Sequence, residues 1–174
     1  MKRFLLILPL LCLAAGDAEI EGWKIVNGAW EANPLRGKGF LEWPSGMGKK
    51  FSFTANVSYR MTGDQLWGLI LFHDDELGRD KNCVRVLARA EADRGLTIDE
   101  VRDGNWRVLA RSDIPSESKG PLKFSCVTDG RSVKAQLGRT SVHATIEWRP
   151  TSSRVGMWVT AEEFAAAKVK VVSH

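Results

Sequence analysis

The chain has 174 residues, with 25 Lys and Arg against 21 Asp and Glu for a net charge of +4, seven Trp and one Tyr. That length suits one domain with a sizeable core and is short for two. With 44% hydrophobic and 26% charged residues, and 16 Gly and six Pro in no triplet period, a disordered or fibrous chain is excluded, and so small a charge surplus does not by itself indicate nucleic-acid binding.

Lys2 and Arg3 precede an apolar run over residues 4–15, and small residues follow at Gly16 and Ala18. A basic start, an apolar middle and a small-x-small ending are the pattern of a secretory signal peptide. Residues 1–18 are therefore expected to be removed, leaving 19–174 as a single exported β-sandwich domain, secreted or periplasmic. The run is shorter than the roughly 20 residues a membrane helix needs, and no later stretch approaches that length, so no integral membrane segment is expected after signal removal. Leu11 before Cys12 fits a lipidation site poorly. Of the other two cysteines, Cys83 and Cys126 either form one disulfide in an oxidising compartment or stay as two buried thiols.

From Gly22 onward a period of two dominates. Phe51, Phe53, Ala55, Val57 and Tyr59 interleave with Ser52, Thr54, Asn56, Ser58 and Arg60, which predicts a strand with one buried face. Val84, Val86 and Ala88 alternate with Cys83, Arg85, Leu87 and Arg89. Leu96 and Ile98, then Val133, Ala135 and Leu137, then Val169 and Val171 repeat the pattern. Turn signals fall between these runs at Thr62-Gly63-Asp64, Asp93-Arg94-Gly95, Asp103-Gly104-Asn105, Asp129-Gly130-Arg131 and Gly138-Arg139-Thr140. Asp-Gly between alternating segments marks a hairpin, because Gly accepts the positive φ of a tight turn. The alanine run over 161–167 is too short for a helix of its own and reads as a turn followed by a strand.

Several segments in this order carry a family resemblance: Gly22-Trp23-Lys24-Ile25-Val26-Asn27-Gly28-Ala29-Trp30-Glu31, the strand at 51–57, Leu66-Trp67-Gly68-Leu69-Ile70-Leu71-Phe72-His73, Asn82-Cys83-Val84-Arg85-Val86-Leu87, Lys123-Phe124-Ser125-Cys126-Val127-Thr128-Asp129-Gly130, and Arg154-Val155-Gly156-Met157-Trp158-Val159. Together they resemble the concanavalin A-like lectin/glucanase superfamily, and more narrowly the jelly-roll domains related to 3-keto-disaccharide hydrolases. The resemblance implies an all-β fold, a two-sheet antiparallel jelly-roll sandwich with one curved sheet offering a concave outer face to sugars. Gly68 and Gly156, inside apolar strands, are expected to mark a bulge or a close backbone approach.

The laminarinase-like branch of that superfamily carries a Glu-x-Asp-x-x-Glu strand. Here Glu91-Ala92-Asp93 begins it, but Arg94, Gly95 and Leu96 follow, so the second acid is missing. Weak catalytic candidates are Asp75 and Asp99, since glycoside hydrolysis needs two carboxyls about 5–10 Å apart. The cluster His73-Asp74-Asp75-Glu76 offers adjacent carboxylates, with Asp74, Asp75 and Glu76 as weak Ca²⁺ candidates; no cofactor is otherwise implied. For ligand binding the candidates are Asn56, His73, Arg85 and Arg89 on a concave face, helped by Trp43 and Trp106 as stacking surfaces for sugar C–H faces. Trp30 and Trp148 also have polar neighbours, whereas Trp67 and Trp158 sit in apolar strands and read as core. The expected function is an exported carbohydrate-binding module with a glycan partner and no nucleic acid. A glycoside hydrolase of the same fold, and a structural or adhesive domain without a small ligand, are the alternatives.

Overall fold

In the computed structural model the ten-residue alternation at Phe51–Arg60 becomes one strand, with Phe51, Phe53, Ala55, Val57 and Tyr59 buried and the side chains between them half-buried. The structure describes residues 24–26, 29–32, 35–36, 39–42, 48–74, 81–90 and 95–174; the expected signal peptide lies outside them. Among the described residues there is no helix. The strands are β1 (Lys24–Val26), β2 (Ala29–Ala32), β3 (Leu35–Arg36), β4 (Gly39–Glu42), β5 (Phe51–Arg60), β6 (Leu66–Leu71), β7 (Cys83–Arg89), β8 (Gly95–Arg102), β9 (Asn105–Ser112), β10 (Leu122–Thr128), β11 (Ser132–Leu137), β12 (Thr140–Thr145), β13 (Val155–Val159) and β14 (Glu163–Ser173).

Two antiparallel sheets result. The larger runs β1-β2-β14-β5-β10-β11-β12, with β3 also paired to β14, and the six-stranded sheet runs β4-β13-β6-β7-β8-β9. The chain crosses between sheets at β3–β4, β4–β5, β5–β6, β9–β10, β12–β13 and β13–β14, so neither sheet is a simple meander. The expected two-sheet antiparallel sandwich is the observed fold, including the strand at the alanine run, now part of β14.

Each sheet buries one face against the other. Trp67, fully buried on β6, lies 5.3 Å from Tyr59, 5.1 Å from Phe124 and 5.3 Å from Phe164, all on the opposing sheet. Aromatic rings at these spacings add to the area they bury, so Trp67 ties the layers at their centre. Asp103 (φ 50) and Gly104 (φ 79) both take the positive φ of the tight β8–β9 hairpin, as the Asp-Gly signal requires. The link from β9 to β10 is pinned to the end of β5: the Tyr59 hydroxyl donates to the Pro115 carbonyl at 3.2 Å, and the Ser118 amide to the Tyr59 carbonyl at 3.0 Å. On the far side, β12 lies against β8 and β9 and closes the sandwich there.

Cys83 and Cys126 are both buried, and no disulfide joins them. Cys126 points into the core from β10, and Cys83 faces the outer side of the six-stranded sheet. Of the two sequence readings, paired or separate thiols, the second holds.

Candidate functional site

The outer face of the six-stranded sheet follows from register. Phe40, Trp158, Gly68, Leu87 and Thr97 are neighbours across β4, β13, β6, β7 and β8; Gly156, Ile70, Arg85, Asp99 and Val108 form the adjoining row; Cys83, Val101 and Trp106 a third. Leu66, Ile70, Cys83, Leu87 and Val101, with Phe40 and Trp158 against them, make a second apolar cluster that is separate from the inter-sheet core. The floor of this face is therefore hydrocarbon, and the polar groups stand on it.

Those groups are few and paired. Asp99 is wholly buried and its Oδ2 accepts from the Arg89 guanidinium. Arg89 faces Gly95 in register, four residues from Asp99 on β8. At about 3.3 Å per residue that is roughly 13 Å along the strand. An Arg side chain closes such a span only by lying along the face toward Asp99. The same guanidinium stands 5.4 Å from the Trp106 ring, and Trp106 is 47% exposed. Arg85 lies 6.0 Å from the Trp158 ring on the other side of Asp99. Two arginine–indole pairs thus flank one buried carboxylate, whose Oδ1 has no hydrogen-bond partner. From β13 to β9, the indoles stand four strands apart, roughly 19 Å at about 4.8 Å per strand.

Gly68 permits this arrangement. A Cβ there would lie 2.0 Å from the Val86 carbonyl oxygen, so β6 and β7 could not approach with any other residue. The close approach expected from the sequence is confirmed at Gly68.

One margin of the face is built around Glu42. Arg154 grips its carboxylate with Nε at 2.5 Å from Oε1 and a second nitrogen at 2.7 Å from Oε2, a bidentate pair. His73 Nε2 lies 4.0 Å from Oε1 and its ring packs edge-on against Phe40 at 5.5 Å. Phe72 takes φ 59, rare for a residue with a side chain. That reversal turns Phe72 into the core while His73 goes outward beneath Phe40. His73 is 1% exposed, a packed position rather than one open to a ligand. On the inner side of β8, in register with Val84, Glu100 accepts from Arg107 at 2.9 Å, and the same nitrogen lies 3.3 Å from Glu147.

The structure brings Arg85, Arg89, Asp99 and Trp106 together. It does not bring Asn56 to them: Asn56 is on β5, on the outward side of the other sheet, facing Lys123 and Ala167. The sequence grouping of Asn56 with Arg85 is corrected, because outward positions of two stacked sheets face opposite ways. Trp158, read as core, is half-buried on the outer face. Trp148 is half-buried under Arg102 at 5.4 Å. Trp43, Asp75 and Glu76 lie outside the described residues, as does the side chain of Trp30.

Asp74 is exposed, and both its carboxylate oxygens are taken by Asn82, one by the backbone amide at 3.1 Å and one by the side-chain amide at 2.7 Å. The Asn82 hydrogen bond holds the Asp74 carboxyl below its ordinary value. Asn82 Oδ1 in turn accepts from the Asp103 amide at 3.1 Å, joining the end of β6 to the β8–β9 turn. Among the described residues, no three His, Cys, Asp or Glu side chains gather as metal ligands.

No protein-family model matches the chain, and no curated protein matches it by sequence. Solved structures do match in fold. The carbohydrate-binding module CBM66 from Bacillus subtilis superposes with a TM-score of 0.57 at 13% identity, covering 91% of this chain and 95% of that one. Caenorhabditis elegans galectin LEC-6 gives 0.55 at 12% identity, over 87% of this chain and 100% of that one. The Bacteroides ovatus xyloglucan-locus protein GH43B gives 0.58 at 11%, over 84% of this chain and only 36% of that one. At such identities the likeness is one of fold: the chain has a two-sheet antiparallel jelly-roll sandwich of concanavalin A-like architecture.

Proposed function

We propose that the chain is an exported carbohydrate-binding module whose site is the outer face of the six-stranded sheet. The observation that carries the reading is the pair of arginine–indole contacts, Arg85 with Trp158 and Arg89 with Trp106, on either side of buried Asp99. Sugars are held by stacking of C–H faces on aromatic planes and by charged groups that orient hydroxyls. Trp106, the most exposed aromatic on the face, supplies the plane; Arg85 and Arg89 supply donors. Asp99, fully buried, acts through Arg89 and is a positioning residue. The fold neighbours, a carbohydrate-binding module and a galectin among them, support the reading by analogy only.

A glycan array with wild type, Arg85→Ala and Trp106→Ala tests it. Specific signal that drops at least tenfold in both variants, with circular dichroism unchanged, is the expected result. No specific glycan signal, or signal indifferent to both substitutions, overturns it. Export is tested separately: the mature protein should begin at Glu19, and a retained Met1 would refute it.

A further inference from the structure

The outward side of the larger sheet has a different chemistry. Register across β14, β5, β10, β11 and β12 sets Lys170, Thr54, Ser125, Gln136 and Ser141 in one row. The next row holds Val172, Ser52, Val127, Lys134 and His143, and a third row holds Ala167, Asn56 and Lys123. Lys123, Lys134, Lys170 and His143 are exposed, as is Lys50, which continues the outward phase of β5. His174 closes that end, its ring nitrogen 3.1 Å from Ser52 Oγ.

From the Asn56 row to that end, outward positions of these five strands carry no carboxylate. Three nearby acids are already engaged. Glu162 and Glu163 are held by Arg60 at 3.5 and 2.6 Å at the opposite end of β5. Asp129 accepts from the Arg131 and Ser132 amides within its own turn. Glu31 stands in register with Lys170 at the β2 margin. What looks scattered in sequence is collected in space, and a one-sign face concentrates counter-ions and charged partners.

Between β14 and β10, about 10 Å apart at ~4.8 Å per strand, β5 presents Ser52, Thr54, Asn56 and Ser58 outward, with Arg60 following at its far end. Long lysines therefore stand on both sides of a lane of short hydroxyl and amide groups. We infer that this face is a second binding site, for a linear anionic polysaccharide whose sulfates or carboxylates pair with Lys50, Lys123, Lys134 and Lys170 while its hydroxyls meet the Ser, Thr and Asn lane. No Trp, Tyr or Phe side chain among those described stands on this lane to stack a nucleobase, which single-stranded nucleic-acid sites employ. The inference does not rest on the glycan reading of the other sheet.

Heparin is the probe. Wild type should bind it in low salt and lose affinity as salt rises, since neutralising a polyanion releases its counter-ions. Lys123→Glu/Lys134→Glu/Lys170→Glu should weaken binding at least tenfold and flatten the salt dependence. The charge-matched control Lys81→Glu/Lys119→Glu/Arg149→Glu, also at exposed positions, should change it less than threefold. Absence of heparin binding at low salt, equal loss in both triple variants, or tighter binding of duplex DNA than of heparin would each overturn the inference.

Discussion

Arg89 reaches along the sheet to Asp99 and in the same pose covers the Trp106 ring at 5.4 Å, so one side chain both neutralises a buried carboxylate and backs an exposed indole. Removing the cation leaves an unpaired charge at a position with no solvent access, which costs about 3 kcal/mol or more. Arg89→Met is expected to lower urea-unfolding stability by that amount, and Arg89→Met/Asp99→Leu to recover part of it. If the two substitutions prove additive, the pair is not the coupled unit described.

Gly68 and Gly120 make opposite predictions for the same substitution. At Gly68 a methyl group would meet backbone, the Val86 carbonyl oxygen at 2.0 Å, with no flexible side chain to move aside. Gly68→Ala should separate β6 from β7, destabilising the protein by several kcal/mol or abolishing soluble expression. At Gly120 nothing lies within 4 Å of the added atom, and Gly120→Ala should shift the thermal midpoint by under about 2 °C. A well-folded Gly68→Ala protein with an unchanged midpoint would contradict the strand approach.

Burial pushes the Cys126 thiol up to about 12, and Cys83 is equally shielded at 1% exposure. The thiolate is the reacting species, so neither should react with Ellman's reagent in the native protein, even at pH 9. In a Cys12→Ser background, both should react once the chain is unfolded in urea. Adding a reductant should not move the thermal midpoint; a downward shift would reveal a disulfide.

The period-two patterns of β5, β7, β8 and β11 were legible because each sheet buries one face, which forces side chains to alternate. That rule says which way a residue points relative to its own sheet, not which sheet it belongs to. Asn56 and Arg85 therefore looked alike in sequence and stand on opposite exteriors. Trp158 was misread for a different reason: its neighbours Met157 and Val159 are buried, and an apolar strand invites assignment to the core. The phase was present all the same, since Val155, Met157 and Val159 point inward and place Gly156 and Trp158 outward. His73 had no such signal, because its burial depends on the φ 59 turn at Phe72. The lysine face was invisible to charge counting, since residues far apart in sequence meet only through the β14-β5-β10-β11 order.

Acid sensitivity should localise to two loop carboxylates. Asp129 lies below its ordinary value chiefly because the Ser132 and Arg131 amides donate to it, and Asp74 because Asn82 does. A carboxylate whose folded value is depressed adds stability above its unfolded value, near 3.8, and loses it as pH falls through the lower, folded one. Both groups are almost fully solvated, so each effect is small and salt-screened. Urea midpoints measured from pH 6 down to pH 2.5 should fall for wild type and fall less steeply for Asp129→Asn/Asp74→Asn. The double variant should already be weaker at pH 6, where the ionised acceptors are missing. Parallel curves over that window would mean that the turn amides and Asn82 do not favour the charged forms, and that the β10–β11 turn and the Asp74–Asn82–Asp103 link are held by backbone geometry alone.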